Sequence, residues 1–526
     1  MKKRLIPSVG LLGLMWAGSA MAADMAPVYK APPPAPVVVD IWSGFYGGFN
    51  AGGSVGRDHT QDSSPFIGLP LTADFHHAPI GGIFGAQVGW NWHVAPAWVI
   101  GAEADWQWSG QKDSVCTYAC LPAGGPGSLL AITDEQSLRW FGTARGRVGW
   151  LSPAGSLWYA TGGAAWGQVH QSLTLGATAG VFPGTTSSAA SFDSDKLGWT
   201  IGGGIETPLW DRWSLKAEYL YVNLGRVTNS FTSPIAVAPG TVTTTSTSTI
   251  EDHVFRLGLN YHIGGDVVPA AAAPAYYTKA PAQRGFDWNG FYGGFNAGAA
   301  IARNPTVDSI LLAPTVVGGF PVAGADSFNH APFGGLFGAQ LGANWRVASS
   351  WVLGAEADWQ WTRQTDTACI SECLPTGPAG IPGVAPGTLL GLTDSQTLTW
   401  FGTARGRFGW VASNGSLWYV TGGAAWGHIH STLTLGVTPG VVAVGAPTSA
   451  SFEHNRAGWT VGAGAEVPLW ERWSLKAEYL YIDLGSVTDA FTTAADAAQL
   501  PVTSITTSSA YSIHDHIARV GVNYHF

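Results

Sequence analysis

Apolar residues occupy every second position along much of this chain, and polar or charged residues fill the positions between them. In residues 98–108, Trp98, Ile100 and further apolar side chains alternate with Glu103 and Asp105. A period of two is typical of a β-strand whose two faces meet different surroundings. The pattern therefore predicts an all-β fold. The other strands predicted in the first half lie at residues 45–55, 84–94, 140–150, 158–166, 199–209, 213–221 and 255–263.

Most of these segments return in the second half of the chain. The run Gly-Phe-Tyr-Gly-Gly-Phe-Asn-Ala-Gly at residues 44–52 recurs at 290–298, and Trp-Ser-Leu-Lys-Ala-Glu-Tyr-Leu-Tyr at 213–221 recurs at 473–481. A repeat of this length is a whole domain rather than one unit of a solenoid. The sequence therefore predicts two copies of one domain, with about eight strands in each copy.

Differences in length between the copies fall within three polar connections, residues 56–80, 109–137 and 224–252, whereas the intervening short connections keep their length. Long and short connections alternate along the chain. Because successive antiparallel strands turn at opposite ends of a sheet, we expect one end of each domain to carry long loops and the other end short turns.

Charged side chains lie on one face of the predicted strands, with equal numbers of each sign. Only 11% of the residues are charged, less than half of the roughly 25% found in ordinary soluble domains. The opposite face carries aromatic residues near the strand ends, as lipid-facing surfaces do. Turning one Arg or Lys toward the bilayer midplane costs about 2–4 kcal/mol, so the charged face is expected inside a closed barrel. The predicted lumenal ion-pair network consists of Glu103, Asp105, Arg145, Arg147, Glu206, Lys216, Glu218, Arg256, Glu356, Asp358, Arg405, Arg407, Glu466, Lys476, Glu478 and Arg519.

The number of strands decides what such a barrel can pass. Eight strands enclose a lumen just wide enough for side chains to fill, whereas water-filled porins have about 16–18 strands. We therefore predict two tandem eight-stranded antiparallel transmembrane β-barrels, each plugged by ion pairs, with a structural and surface-exposed role. The alternative is a porin-like diffusion channel formed by one fused barrel of about 16 strands. The linker between the copies and the balanced charge within each copy disfavour that alternative.

The N-terminus has the features of a secretory signal peptide. Residues 2–4 are basic, residues 5–16 are apolar, and Ala20-Met-Ala22 offers a small-residue cleavage site. The formal net charge of the chain is −9, so no nucleic-acid partner is expected, because phosphate binding requires a basic face.

Several strand motifs resemble one known family in combination. They are Trp-Ser-Gly-Phe-Tyr-Gly-Gly-Phe-Asn-Ala-Gly at residues 42–52, Gly-Trp-Thr-Ile-Gly-Gly-Gly-Ile-Glu at 198–206, the Trp-Ser-Leu-Lys strand at 213–221 and the closing Asn-Tyr-His at 523–525. Together they resemble the small outer-membrane immunogenic proteins, or porin-family surface antigens, of alphaproteobacteria. The resemblance covers nearly all of both copies, although members of the family commonly carry one barrel.

The resemblance implies a location in the outer membrane of a Gram-negative bacterium, in contact with outer-membrane lipid and lipopolysaccharide. It also implies folding by the barrel assembly machinery, which recognises a terminal aromatic residue such as Phe526. The long loops would be extracellular and could meet other cell-surface molecules, as expected of a surface antigen or a protein that maintains the envelope. The family supplies no catalytic residue that could be transferred to this chain.

The predicted domain boundaries follow from the repeat and from the composition of the segments that flank it. A signal peptide is predicted at residues 1–22, a Pro-rich periplasmic linker at 23–41, and the first barrel at 42–264. An Ala/Pro-rich linker at 265–286 then leads to the second barrel at 287–526.

The four cysteines form two close pairs, Cys116 with Cys120 and Cys369 with Cys373. In an exported protein each pair is expected to close a small disulfide loop rather than to bind a metal, which would need further ligands nearby.

An outer-membrane hydrolase is a further alternative, because histidines could serve as catalytic bases. The two copies do not preserve a common histidine constellation, since His428 aligns with Gln168 and His76 aligns with Asn329. We therefore expect loop histidines exposed to solvent, and predict no enzyme activity, no catalytic residue, no metal site and no cofactor. The candidate histidines are His59, His76, His77, His170, His428 and His430.

Overall fold

The protein forms β-strands throughout the part of the chain that the structure describes, which confirms the all-β prediction. The computed structural model describes residues 37–39, 41–66, 69–117, 131–176, 188–235, 240–263, 267–269, 286–317, 320–370, 390–437, 443–444, 449–496 and 503–526. Within these ranges no helix has the length and hydropathy of a membrane span.

The strands are long in both copies. In the first half they are β1 (Val37–Val39), β2 (Gly44–Gly56), β3 (Asp58–Phe66), β4 (Leu69–His77), β5 (Ile80–Ala95), β6 (Trp98–Thr117), β7 (Ala131–Leu151), β8 (Leu157–Gly176), β9 (Ser188–Trp210), β10 (Trp213–Ile235), β11 (Gly240–Ile263) and β12 (Val267–Pro269). In the second half they are β13 (Gly290–Ala302), β14 (Asn304–Val317), β15 (Phe320–His330), β16 (Phe333–Ala348), β17 (Trp351–Ile370), β18 (Leu390–Val411), β19 (Leu417–Val437), β20 (Ala443–Val444), β21 (Ser449–Trp470), β22 (Trp473–Asp496) and β23 (Ser504–His525).

Strands β1 and β12 form a small unit of their own, in which Val38 lies opposite Val268 in an antiparallel pair. Both strands lie in segments that the sequence predicted as linkers. The remaining strands belong to the second unit, a closed barrel sheet that contains both sequence copies.

The predicted strands are present, and several are longer than predicted. β6 continues nine residues past the predicted end at Trp108. β10 continues past its predicted end at Tyr221 to Ile235, and β11 begins at Gly240, before its predicted start at Phe255. The described parts of the connections at residues 109–137 and 224–252 are therefore mostly strand rather than loop. The tight turns lie at the opposite end, where Asp211 and Glu471 adopt positive φ angles of 47° and 29° between paired strands.

At the end of the sheet that carries the long connections, strands from both copies pair into one ring. The hairpin β3–β4 pairs with β11 of its own copy and with β17 of the other copy, through Asp74 opposite Cys369. The hairpin β14–β15 likewise pairs with β23 and with β6, through Ser327 opposite Cys116. Following these pairs around the described strands gives a ring of 16 strands.

The prediction of two separate eight-stranded barrels is therefore not confirmed. The two hairpins exchange partners between the copies, and this exchange merges all the long strands into one sheet. At the short-turn end, however, β2 pairs with β11 and β5 of its own copy, and β13 pairs with β23 and β16. Neither hairpin exchange could be seen in the sequence, because the same alternating pattern suits pairing within a copy or between copies.

The two faces of the sheet have opposite character. Large apolar side chains such as Val88, Trp106 and Val148 are 40–54% exposed on the outside, whereas the charged residues of the same strands are buried. Apolar contacts also join the copies. Phe75 and Phe328, in the exchanged hairpins, pack with Val115 of β6 and Ile370 of β17. The alternation of the sequence thus produces an apolar exterior and a polar lumen.

Candidate functional site

The charged face of the first copy gathers into one compact cluster centred on Arg145. Its guanidinium contacts three carboxylates: it donates to Glu103, to Asp105 Oδ2 at 2.8 Å and to Glu218 Oε1 at 3.0 Å. These residues come from β6, β7 and β10, and meet because each occupies a lumen-facing position in the two-residue alternation. Glu103 lies directly opposite Arg145 in the register of β6 with β7.

The other cations of the first copy complete the cluster. Lys216 Nζ donates to Glu103 Oε1 at 2.8 Å, and Arg256 Nη2 donates to Asp105 Oδ2 at 2.8 Å. Arg147 Nη1 donates to Glu206 Oε2 at 3.1 Å. Four carboxylates thus face four cations, and none of the eight residues is more than 6% exposed.

The second copy repeats this cluster with the equivalent residues. Arg405 contacts Glu356, Asp358 and Glu478, with its Nη1 at 3.0 Å from Glu478 Oε1. The same pairs recur for Lys476 with Glu356, Arg519 with Asp358 and Arg407 with Glu466. All sixteen residues of the predicted network therefore lie in two lumenal clusters.

Aromatic hydroxyls also join the clusters, which the sequence analysis missed. Tyr46 donates to Glu103 Oε2 at 2.7 Å, and Tyr159 donates to Glu218 Oε1 at 2.8 Å. Their counterparts Tyr292 and Tyr419 make the same bonds to Glu356 and Glu478. The signal was present, because Tyr46 shares the alternating positions of Gly48 and Asn50 rather than the apolar positions of Phe45 and Phe49.

A second polar cluster lies between the copies, at the base of the exchanged hairpins. Arg57 Nη2 lies 3.4 Å from Asp366 Oδ1, and Arg303 Nη2 lies 3.1 Å from Asp113 Oδ1. Each arginine also donates from Nε to a backbone carbonyl of the other copy, Arg57 to Ala331 and Arg303 to Ala78, both at 2.8 Å. We call these residues, with His76, His77, Asn329 and His330, the junction.

One histidine in each copy is buried in the junction between two aspartates. His77 lies 3.1 Å from Asp113 and 3.3 Å from Asp134, and His330 lies 2.9 Å from Asp366 and 3.1 Å from Asp394. These groups lie past the 13 residues of β2 and so beyond the roughly 9–11 residues that a strand needs to cross a bilayer.

The electrostatic surroundings of these two histidines stabilise their charged form. Burial lowers the pKa of His330, but the charges and hydrogen bonds of Asp394 and Asp366 outweigh it and raise the pKa to about 10. The pKa of His77 is raised in the same way, against burial, by Asp134 and Asp113. Each histidine is therefore expected to carry a proton at neutral pH.

The expectation that the loop histidines are exposed is wrong for His76 and His77, since His76 is only 9% exposed and His77 is fully buried. His76 and Asn329, which align between the copies, also make equivalent contacts, because each contacts the junction aspartate of the other copy. His76 Nδ1 lies 2.8 Å from Asp366, and Asn329 Nδ2 donates to Asp113 at 2.6 Å. The strands that bury His76 and His77, β3 and β4, lie within residues 56–80, which the sequence predicted as a polar loop. His59, His170, His428 and His430 are partly exposed.

The remaining predicted residues lie at the two ends of the barrel. Cys116 and Cys369 lie near the outer ends of β6 and β17 and are disulfide-bonded. Their predicted partners Cys120 and Cys373 lie outside the described residues, as does the predicted signal peptide. Phe526 donates its backbone N–H to the Phe291 carbonyl at 2.9 Å, and its side chain is 72% exposed.

Within the described ranges, no group of three or more His, Cys, Asp or Glu side chains is arranged to hold a metal ion. The lumenal carboxylates are instead occupied by guanidinium and ammonium groups at hydrogen-bonding distance. A carboxylate held in this way is neutralised and blocked by its partners, so the arrangement can fill and rigidify a lumen.

A closed sheet with an apolar exterior and an ion-paired interior defines the class of transmembrane β-barrels. Comparison with known sequences agrees: the family described as outer membrane protein beta-barrel domain matches residues 11–262 and 270–526. The chain belongs to this family, and the two matches correspond to its two copies. It is an outer-membrane protein, as predicted.

The curated relatives are half as long as this chain. The 31 kDa outer-membrane immunogenic proteins of Brucella melitensis biotype 1 and Brucella suis biovar 1 are each 34% identical over 275 residues, which is 50% of this chain and 99% of each relative. These relatives confirm the predicted resemblance to outer-membrane immunogenic proteins.

Solved structures give only a distant likeness. A Pseudomonas aeruginosa FadL homologue has a TM-score of 0.25 at 10% identity, covering 92% of this chain and 90% of its own. The outer membrane protein OprG of Pseudomonas aeruginosa has a TM-score of 0.23 at 11% identity, covering 46% of this chain and 99% of its own.

Proposed function

We propose that the protein is a structural, surface-displayed component of the outer membrane. In this proposal each copy crosses the bilayer as its own eight-stranded circuit, and the two circuits merge only outside the membrane. The pairing of β2 with β11, from Phe45 opposite Ile263 to Gly56 opposite Asp252, supports a closed circuit in the first copy. The pairing of β13 with β23 supports the same in the second.

The observation that carries the proposal is the pair of lumenal clusters. Each cluster opposes four carboxylates to four cations in the middle of a circuit too narrow for a wide aqueous path. An ion that entered would have to displace hydrogen-bonded charges such as Arg145 and Glu218, which are nearly inaccessible to solvent. We therefore assign the clusters the role of plugs that stabilise the barrel, and no enzyme activity.

The long-connection end would face outward, because outer-membrane barrels have short periplasmic turns and long extracellular loops. The proposal also includes several features that the sequence predicts. These are the signal peptide at 1–22, the linkers at 23–41 and 265–286, disulfides from Cys116 to Cys120 and from Cys369 to Cys373, and recognition of Phe526 by the assembly machinery. Lipopolysaccharide and other cell-surface molecules would be its partners.

A diffusion channel is the second candidate, and the 16-strand ring at the outer end favours it. The ring would conduct only if a path continued through the short-turn end, where each copy carries its own ion-paired cluster. The candidate therefore requires the clusters to open or the two circuits to fuse.

Single-channel recording in planar bilayers separates the two candidates. The plugged barrels should give no steady large conductance from the purified full-length chain, whereas a fused channel should give one conductance step for each inserted chain. Heat-modifiable gel migration of the same sample establishes that the inserted protein is folded. Surface proteolysis of intact cells should cut within residues 109–137 or 362–398, and complete protection would contradict the proposed orientation.

A further inference from the structure

The outer faces of the two copies line a partly open cavity of about 1240 Å³. Its walls are the apolar sides of the strands, including Ala51 and Leu257 from the first copy and Ala297 and Val520 from the second. The space lies outside both lumens and is larger than the roughly 300–1,000 Å³ of ordinary ligand pockets. Small residues such as Ala51 and Ala297 leave this space, because their side chains project only a short way from each wall.

Contacts between the copies limit the cavity at both ends. At the outer end the ring of Phe255 lies 4.9 Å from that of Tyr479, and His253 lies 5.0 Å from Phe333. At the short-turn end Ile205 packs with Ala465 and Val467 of the other copy, and all three are buried. The cavity therefore lies between these two sets of contacts, along the part of each strand that is expected to cross the membrane.

The lining offers few partners for water, among them the indole N–H groups of Trp158 and Trp418, which make no hydrogen bond. The hydroxyls of Tyr219 and Tyr479 are already hydrogen-bonded, at 2.8 Å, to Nδ1 of His253 and His516. The charged groups that reach the lining, such as Glu218 and Arg256, are paired within the lumen. Water enters a cavity only where two or more polar groups can bind it, and a large apolar void without an occupant forfeits van der Waals contacts along its walls.

We propose that this cavity binds the acyl chains of a phospholipid, which stays with the protein as a bound lipid between the two copies. The walls continue the lipid-facing surface, so hydrocarbon can enter sideways from the bilayer. Tryptophans at the short-turn end, among them Trp98, Trp150, Trp351 and Trp410, line the cavity at the depth where Trp commonly marks a membrane interface. In the orientation proposed above, on which this inference rests, that end is the periplasmic one. The arginines that line the cavity, Arg256 and Arg519, are paired with Glu218 and Glu478 and so are not free to hold the phosphates of lipid A.

The test compares bound lipid in two matched double variants of the full-length protein. Ala51→Trp with Ala297→Trp fills the cavity from both walls, whereas Ala104→Trp with Ala357→Trp adds the same bulk to exposed outer positions of β6 and β17 that do not line it. Each protein is purified from outer membranes and washed with detergent, and its retained lipid is identified by mass spectrometry. Heat-modifiable migration shows that each variant is folded.

We expect the wild type and the control variant to retain phospholipid and the cavity-filled variant to lose it. Equal retention by both variants, no retained lipid in the wild type, or lipid A in place of phospholipid would overturn the proposal. A second measurement needs no substitution: a phospholipid with a photoreactive group in its acyl chain should label β2 and β13 after the detergent wash. Labelling confined to exposed positions such as Val88 and Leu341 would contradict it.

Discussion

Arg57 and Asp366 join the two sequence copies, with 3.4 Å between Nη2 and Oδ1. The reciprocal pair, Arg303 with Asp113, has the same position in the other copy. Both aspartates also accept backbone N–H groups, from Ala331 and Ala78 respectively, at 2.9 Å. Each aspartate thus ties a hairpin of one copy to a strand of the other.

Replacing Asp113 and Asp366 by Asn should separate the hairpins from their exchanged partners. Removing one partner from a buried ion pair typically costs about 3–5 kcal/mol, because the other charge stays buried without compensation. Backbone hydrogen exchange in β4 and β15 should therefore accelerate strongly. The matched control is Asp193→Asn, which removes an exposed ion pair with Arg139 and should leave exchange in both strands unchanged.

The junction should also weaken as the pH rises. A raised histidine pKa means that the folded state binds the proton more tightly than the unfolded state does. The resulting stabilisation is complete below about pH 6.5, the unperturbed value, and is lost as the pH rises through about 10 for His330. Burial and the nearby Asp134 raise the pKa of Asp62 to about 8. Ionising that carboxyl therefore removes stability in the same direction.

Hydrogen exchange in β4 and β15 should accordingly speed up between about pH 6 and pH 10 by more than the intrinsic base catalysis of exchange explains. His77→Gln with His330→Gln should flatten this excess dependence. Within that same range, an excess in the opposite direction, with exchange relatively slower at pH 10 than at pH 6, would contradict the assignment.

The sequence predicted those parts of the fold that depend on alternation within one strand. The lumenal positions of Glu103, Arg145 and Glu218 followed from their spacing, because a period of two places them on one face whatever the pairing partner. The pairing of β4 with β17 could not be predicted in this way, since Asp74 and Cys369 are far apart in sequence and nothing local distinguishes this partner from β6. The burial of His77 was missed for the same reason, because it results from that exchange.

The lumenal cluster should tolerate the loss of its central cation poorly. Arg145→Met leaves Glu103, Asp105 and Glu218 close together with one fewer positive charge, which should destabilise the barrel by about 3–5 kcal/mol. The midpoint temperature of heat-modifiable migration measures the change, and Arg405→Met should have a similar effect in the second copy. Arg139→Met, at a solvent-exposed pair, should cost no more than about 1 kcal/mol. Equal effects of Arg145→Met and Arg139→Met would show that the cluster does not stabilise the barrel.

If the exposed apolar face of the sheet contacts lipid, charged substitutions on that face should destabilise the barrel. Val88 is 49% exposed and lies in the middle of β5, and Leu341 is its counterpart in β16. Arg at either position would face hydrocarbon at the bilayer midplane, so Val88→Arg and Leu341→Arg should each destabilise the folded barrel by about 2–4 kcal/mol in lipid vesicles. Ser191→Arg, on the exposed face of β9 beyond the aromatic residues, should change the free energy of unfolding by less than about 0.5 kcal/mol. If Val88→Arg were as harmless as Ser191→Arg, the exposed apolar face would not be in contact with lipid.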